Sequence, residues 1–342
     1  MMKYCVLPMK TEKEYLELIA EKISGAKKIL VVGHKGPDFD SAGSCFGLSM
    51  VLSEMDKEAV TVVGNLPAKL KHSFGVAKVP EDRDVSLFKP DLVILLDYGA
   101  VRMLNQDIVE KIAREKPYVI TIDHHVLEDQ FGDIVWTDDD KTSASEMVFD
   151  VLEHMGHAIS PEIGYCLLLG ILSDTGEFVY YLRSERLMQK INRMNVSGRN
   201  LSLAFKVVRS WDSLEQFLLL GKIAAHLKID SELGFAYVVV RKSGELSGIR
   251  SFLANQLLFI DNLKCVLVLQ KMAGKNGYRG SMRSSALEST INVAAIASQF
   301  VGGGHVNSSA FNSHLSSVKI INTIKRLIRE QLKEESGTDS KT

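Results

Sequence analysis

Gly33-His-Lys-Gly-Pro-Asp-Phe-Asp-Ser-Ala-Gly-Ser44 follows directly on the apolar run Lys28-Ile-Leu-Val-Val32. A short apolar run bounded by glycine and proline reads as a buried strand, and Ser41–Glu54 beyond it reads as a helix. The connection between them carries His34, Asp38 and Asp40. Three ionisable groups crowded at one spot repel or desolvate one another unless a positive charge lies between them.

Two further apolar runs, Asp91–Leu96 and Tyr118–Ile122, repeat the pattern. Helical spacing occupies Gln106–Arg114, Ser143–Met155 and Pro161–Leu172. Strands alternating with helices predict an α/β fold, a parallel sheet with helices on both faces. Thr11-Glu12-Lys13-Glu14 reads as a capping box that opens an earlier helix. Further on, Gly234–Val240, Cys265–Lys271 and Tyr278–Arg283 read as strands, and Asn292–Phe300 and Val318–Leu332 as helices. They predict a smaller α/β C-terminal domain with a cleft between the two. The expected division is 1–195, a helical linker 196–225 that overlaps a more polar, mostly helical stretch from Arg183 to Ser213, and 226–342.

Composition agrees with two ordinary cores: 342 residues, 46% hydrophobic and 24% charged. The net charge of −1 argues against long duplex nucleic acid, whose binders carry a basic excess, and leaves short or small anionic substrates open. No apolar run approaches the roughly 18 residues of a membrane helix, and the N-terminus lacks a signal-peptide pattern. A soluble cytoplasmic protein with no membrane partner is expected. Cys5, Cys45, Cys166 and Cys265 form no CxxC pair and read as reduced core thiols.

Chemistry collects at the strand ends. The first strand leads into His34, Asp38 and Asp40, the second ends in Asp97, and the third ends in Asp123, His124 and His125. Asp174, in GILSDTGEF, follows an apolar helix. In a parallel sheet the carboxyl ends share the edge where ligands bind. Carboxylates in such numbers cannot all ionise without a cation. Oxygen donors and imidazoles without thiolate suit Mn²⁺ or Mg²⁺. The donors outnumber the needs of one ion, whereas two ions about 3.5–4 Å apart would use them and clamp an in-line phosphoryl displacement. Each motif alone has a plainer explanation: an aspartate after a strand is commonly a turn or cap, and Asp40 before its helix fits that. Their joint occurrence at three strand ends favours metal.

His34-x-x-x-Asp38-x-Asp40, Asp97, Asp123-His124-His125 and Asp174 in SDTG resemble the four motifs of the DHH phosphoesterases. Gly280-Ser-Met-Arg283 and Gly302-Gly-Gly-His305-Val-Asn307 resemble the associated C-terminal domain of nanoRNases and 3′-phosphoadenosine 5′-phosphate phosphatases. The resemblance implies one ion on His34, Asp38 and Asp97 and a second on Asp40, Asp97, His124 and Asp174, with Asp97 bridging. It implies that Asp123 holds ligands from behind and that His125 contacts the scissile phosphate. Arg283, Gly302, Gly303, Gly304 and His305 would bind substrate, with Ser281 and Asn307 beside them. Unaided, Arg283 offers a planar fork for phosphate, while a glycine run reads equally as anion cradle or flexible turn.

Two positions depart from the family pattern: Val301 stands where a fourth glycine is common, and Tyr98 where a smaller residue is usual. Tyr98 could narrow the pocket, stack on a base or simply pack. Asp138-Asp139-Asp140 reads as a helix cap, and His72, His154, His157, His226 and His314 as structural or surface residues. The expected activity is two-metal hydrolysis of short oligoribonucleotides or 3′-phosphoadenosine 5′-phosphate. The runner-up is a cyclic di-AMP or linear dinucleotide phosphodiesterase. A non-catalytic nucleotide sensor, a pyrophosphatase and a processive single-strand exonuclease rank lower. Homodimerisation through the first domain is a further expectation by resemblance.

Overall fold

The structure is a computed structural model that describes residues 10–75, 85–127, 129–178, 186–211, 213–241, 249–272, 276–285 and 291–338. Cys5 and the start of the stretch expected as linker, 183–185, lie outside these residues. The chain divides into two compact units, Met1–Ser210 and Trp211–Thr342.

The first unit runs α1 (Glu12–Gly25), β1 (Lys28–Val32), α2 (Phe39–Glu54), β2 (Glu58–Val62), α3 (Ala68–Ser73), β3 (Leu92–Leu96), α4 (Gln106–Glu115), β4 (Tyr118–Asp123), β5 (Ile134–Thr137), α5 (Ala144–His154), α6 (Pro161–Asp174), α7 (Leu187–Met194) and α8 (Asn200–Arg209). Its sheet has the order β2-β1-β3-β4-β5, and every pairing is parallel. The three anticipated strands are the central three. Flanking β2 and β5 escape the sequence reading because EAVTV and IVWT are short and only partly apolar.

Alternation within each strand feeds two cores. Ile29, Val31, Leu92, Ile94, Ile120 and Ile122 face α1, α2, α5 and α6. Leu30, Val32, Val93, Leu95 and Val119 face the other side, with Ile108 and Ile112 of α4. Both faces are covered, so each strand reads as an unbroken apolar run. Chain order reverses between β1 and β3, the switch point beyond whose carboxyl ends such sheets bind ligands. Close packing of α2 on α6 depends on Gly43, where a Cβ would stand 2.4 Å from the Cys166 carbonyl oxygen. The capping box at α1 is formed: the Glu14 amide donates to Thr11 Oγ1, and the Thr11 amide donates to Glu14 Oε2.

The second unit runs α9 (Leu214–Ala224), β6 (Lys228–Asp230), β7 (Phe235–Val240), α10 (Ile249–Leu257), β8 (Cys265–Lys271), β9 (Tyr278–Ser284), α11 (Val293–Ala297), β10 (Val301–His305), β11 (Ser308–Ser313) and α12 (Ser317–Thr338). Its sheet has the order β10-β11-β9-β8-β7-β6, with β7 and β8 parallel and the remaining pairs antiparallel. One face packs Leu267, Leu269, Met282 and Phe311 against Ile320 and Ile324 of α12. On the other, Val266 and Val268 meet Leu253 and Ala254 of α10. Within the expected linker, Ala204 of α8 joins the first unit's core and Ile223 of α9 joins the second's. Cys45, Cys166 and Cys265 are free and buried. Among the described residues no helix is long and apolar enough to cross a membrane.

Candidate metal centre

The quoted loop is fixed by its own polar groups. The Gly33 amide still donates to the Val62 carbonyl at 2.9 Å, so the chain leaves β1 in register. The His34 amide then donates to Ser41 Oγ at 3.1 Å. Asp38 Oδ1 accepts from the amides of Asp40 and Ser41, each at 3.0 Å. Asp38 is therefore the cap of α2, the role considered for Asp40. Asp40, fully buried, serves a different helix. Its Oδ2 accepts from the Ala144 amide at 2.6 Å and its Oδ1 from the Ser145 amide at 2.9 Å, at the start of α5. The cap of α5 is Ser143, whose Oγ accepts from the Glu146 amide, and not the run Asp138–Asp140.

The other strand ends lock to each other. Asp97 follows β3 with φ of 51°, a left-handed conformation unusual for a residue with a Cβ. Asp123 Oδ2 accepts from the amides of Tyr98 and Gly99 at 2.7 and 2.8 Å, which holds the chain beyond Asp97 in place. Asp123 Oδ1 accepts from the His125 amide at 2.9 Å and faces His125 Nδ1 at 2.8 Å.

Around Asp97 the remaining groups converge. His34 Nε2 lies 3.9 Å from Asp38 Oδ1 and 3.9 Å from Asp97 Oδ2. His124 Nε2 lies 3.1 Å from Asp174 Oδ2, 3.6 Å from Asp97 Oδ1 and 3.9 Å from Asp40 Oδ2. Two donor sets, His34–Asp38–Asp97 and Asp40–Asp97–His124, each have their ligand atoms within 4.8 Å of one another, and they share Asp97. Donor atoms about 3–4 Å apart suit the edges of a coordination shell whose bonds are about 2.1 Å long. Asp97 Oδ1 is buried without a hydrogen-bond partner, as a carboxylate oxygen reserved for a cation would be. The residues fit a pair of divalent ions.

Their electrostatics agree. Burial pushes the Asp40 carboxyl well above its ordinary range, and the charges on Asp97 and Asp174 add to this. Burial likewise pushes Asp174 up to about 6, against the hydrogen bond from His124 and with repulsion from Asp38 and Asp97. Asp38 moves the other way, to about 2: burial opposes its charge, but His34 and the amides of Ser41 and Asp40 outweigh it. Burial disfavours charge on His124, yet Asp174 and Asp97 raise its pKa well above the usual value. Asp38, Asp97 and Asp174 raise that of His34 in the same way, and Asp123 that of His125. Without metal the cluster retains protons to offset its repulsion, and a cation would displace them.

In the second unit, Arg283 of β9 pairs across with Ser308 of β11, which pairs with His305 of β10. Ser281, Ala310 and Gly303 form the next such row on the same face. The two segments singled out in the sequence are thus neighbouring parts of one sheet, and the glycine run is an exposed edge strand rather than a turn. Asn307, in the turn between β10 and β11, donates from Nδ2 to Ser284 Oγ at 3.1 Å and ties that turn to β9.

The model of the DHH family N-terminal domain matches residues 28–171. Over that stretch the chain carries a DHH family N-terminal domain. Over 312 residues it is 26% identical to a bifunctional oligoribonuclease and PAP phosphatase, NrnA, of Thermus thermophilus, covering 86% of each chain. It is 26% identical over 325 residues to the cyclic-di-AMP phosphodiesterase GdpP of Geobacillus thermodenitrificans, covering 89% of this chain and 46% of the relative. In fold it resembles the crystal structure of an exopolyphosphatase-related protein from Bacteroides fragilis, with a TM-score of 0.81 at 22% identity, over 93% of this chain and 96% of that one.

Two residues look different in three dimensions. Tyr98 does not stack on a base: it is 2% exposed and packs with Leu104 and Ile108 beneath the sheet. Gly170 was missed. A Cβ there would stand 2.1 Å from Ser145 Oγ and 2.4 Å from Asp40 Oδ1, so glycine is what lets α6 lie against the carboxylate. A glycine inside the apolar run CLLLGILSD was the available signal.

Proposed function

We propose that this DHH protein is a phosphoesterase acting on short oligoribonucleotides or on 3′-phosphoadenosine 5′-phosphate, with two divalent ions, Mn²⁺ before Mg²⁺, as cofactors. The observation that carries the reading is the sharing of Asp97 by two donor sets. His34, Asp38 and Asp97 would hold one ion, and Asp40, Asp97, His124 and Asp174 the other. The relative named for oligoribonuclease and PAP phosphatase activity supports the substrate class. The relative named as a cyclic-di-AMP phosphodiesterase keeps cyclic and linear dinucleotides as the second reading.

When bound, paired divalent ions supply Lewis acidity and an acidified water for in-line attack on phosphorus. The residues of the chain do the rest. Asp40, tied to two helix amides, and Asp97, in its left-handed turn, keep the donor geometry fixed before substrate arrives. Asp123 holds His125 by Nδ1 and raises its pKa, which favours the protonated ring as donor to a phosphate oxygen that gains charge. Arg283 offers its guanidinium to a phosphate, and the glycine strand lets backbone amides approach one. Ser281, His305 and Asn307 would complete that grip. The net charge of −1 suits small anions better than long duplexes. Our reading places the enzyme in the cytoplasm and includes a homodimer through the first unit.

A panel of short RNA, 3′-phosphoadenosine 5′-phosphate, cyclic di-AMP and linear dinucleotide, assayed with Mn²⁺ and resolved by chromatography, tests the substrate. Hydrolysis of the first two ahead of the dinucleotides is expected, and the reverse order selects the second reading. Full activity after metal depletion, or in Asp97→Ala, overturns the mechanism.

A further inference from the structure

The face of the second sheet that α10 partly covers carries arginines the proposed site does not use. Alternation along β9 puts Arg279, Ser281 and Arg283 on this face and Met282 in the opposite core. Arg250, in the first turn of α10, donates from Nη1 to Gln270 Oε1. Gln270 of β8 stands directly across from Arg279, so the two share the face. Arg279 is exposed and donates from Nε to Asn312 Oδ1 at 3.1 Å. Arg283 is anchored separately, with Nε donating to Asn255 Oδ1 and Nη1 to the Met282 carbonyl, both at 2.8 Å.

Arg250 and Arg279 lack what usually accompanies a structural arginine. Among the described residues no carboxylate pairs with either. Their partners Gln270 and Asn312 are neutral amides, which orient a guanidinium without offsetting its charge. Arg250 Nε is buried with no acceptor. Burial, and then the charge on Arg279, lower the pKa of Arg250 from its ordinary value. Two cations set near each other, with donor capacity unused, form a place for an anion.

We infer that Arg250 and Arg279, oriented by Gln270 and Asn312, form a second phosphate subsite on this face, separate from Arg283, which takes a further phosphate of the same substrate. The inference rests on the phosphoesterase reading above. Arg279 and Arg283 are four residues apart on β9, about 13 Å along a strand. Each is held by its own amide, so they address different phosphates. The preferred substrates then carry two or more phosphates: oligonucleotides beyond the dinucleotide, or a nucleoside bisphosphate.

The test compares the unmodified protein with Arg279→Gln, an exposed position whose change spares the core, and with Arg250→Gln as second variant. Substrates are a 5′-phosphorylated trinucleotide and a dinucleotide with a single phosphodiester. Losing a charge-assisted phosphate contact should lower kcat/KM for the trinucleotide relative to the dinucleotide about ten- to a hundredfold, mainly through KM. Binding of a fluorescent pentanucleotide in EDTA is titrated across salt concentrations in parallel. The slope of log affinity against log salt should become shallower by roughly 0.7 for each arginine removed. Equal losses on both substrates, or unchanged affinity and slope, overturn the inference. If the unmodified protein hydrolyses neither substrate, the phosphoesterase reading fails, and the pentanucleotide titration alone still decides the subsite.

Discussion

Replacing Lys190 by methionine probes what holds the scaffold behind the candidate metal centre. Lys190 Nζ lies 2.7 Å from Glu146 Oε1 and 2.7 Å from Asp150 Oδ1, carboxylates one turn apart on α5. Asp150 also meets Lys141 Nζ at 2.8 Å, so it keeps a cation when Lys190 is lost. Glu146, fully buried, keeps the Thr142 amide and hydroxyl at 2.9 and 2.8 Å, which are neutral donors. Breaking a buried pair from one side costs about 3–5 kcal/mol, because a charge is left without its partner. The pH dependence separates this from lost packing. Burial pushes the Glu146 pKa up, but Lys190 and the Thr142 donors outweigh it and hold it below 4.5. In the unmodified protein this contribution is present above the unfolded value and disappears as pH falls. In the variant burial acts without Lys190, the folded pKa moves up, and protonation relieves the strain. The stability difference should therefore be largest near pH 8 and shrink towards about pH 5. The chain has two tryptophans, Trp136 and Trp211. Urea unfolding followed by buried Trp136 in a Trp211→Phe background reports the first unit. A loss below about 1 kcal/mol, or one of equal size at both pH values, refutes the reasoning.

Three other outcomes follow from the site. Manganese at about a hundred times its Kd should stabilise the first unit by about 2.7 kcal/mol in calorimetry, and Asp97→Asn should lose most of that gain; an undiminished gain in the variant removes Asp97 from the centre. Gly170→Ala drives a Cβ into Asp40 and Ser145 and should cost about 1–3 kcal/mol while lowering bound manganese. Normal metal content in that variant contradicts the close approach. His125→Ala should lower kcat about 10²–10³-fold with little change in stability, the side chain being 35% exposed. A loss confined to KM contradicts its role on the developing charge.

The central strands and the bounds of α2, α4, α5 and α6 were legible because both sheet faces are covered, which leaves unbroken apolar runs between polar loops. The ends of β1, β3 and β4 could be placed together from topology alone. The rest depended on contacts between distant residues. Nothing near Asp40 in sequence announces that its carboxylate caps a helix starting at Ala144. β10 and β11 escaped because VGGGH and SSAFNS lack apolar alternation; they are strands through their pairing with β9. Arg250 and Arg279 match no motif and share a face only through the register of β8 against β9.

The carboxylates of the centre divide by what already occupies their oxygens. Asp123 has both oxygens engaged by amides and an imidazole, all on the loops after β3 and β4. Asp40 likewise spends both oxygens on helix amides, although each retains a second lone pair. Asp97 alone among these three leaves a buried oxygen without a partner. Fixed neighbours and one unsatisfied acid are what a preorganised cation site requires, since positions are set by bonds that metal binding need not break. Asp123→Asn should therefore act at a distance: exchanging one acceptor oxygen for a donor turns it against the Tyr98 and Gly99 amides or against His125. Either way Asp97 or His125 shifts, and manganese affinity or kcat should drop about 10–100-fold. An Asp123→Asn enzyme with normal affinity and kcat would show that Asp97 and His125 hold their positions without it.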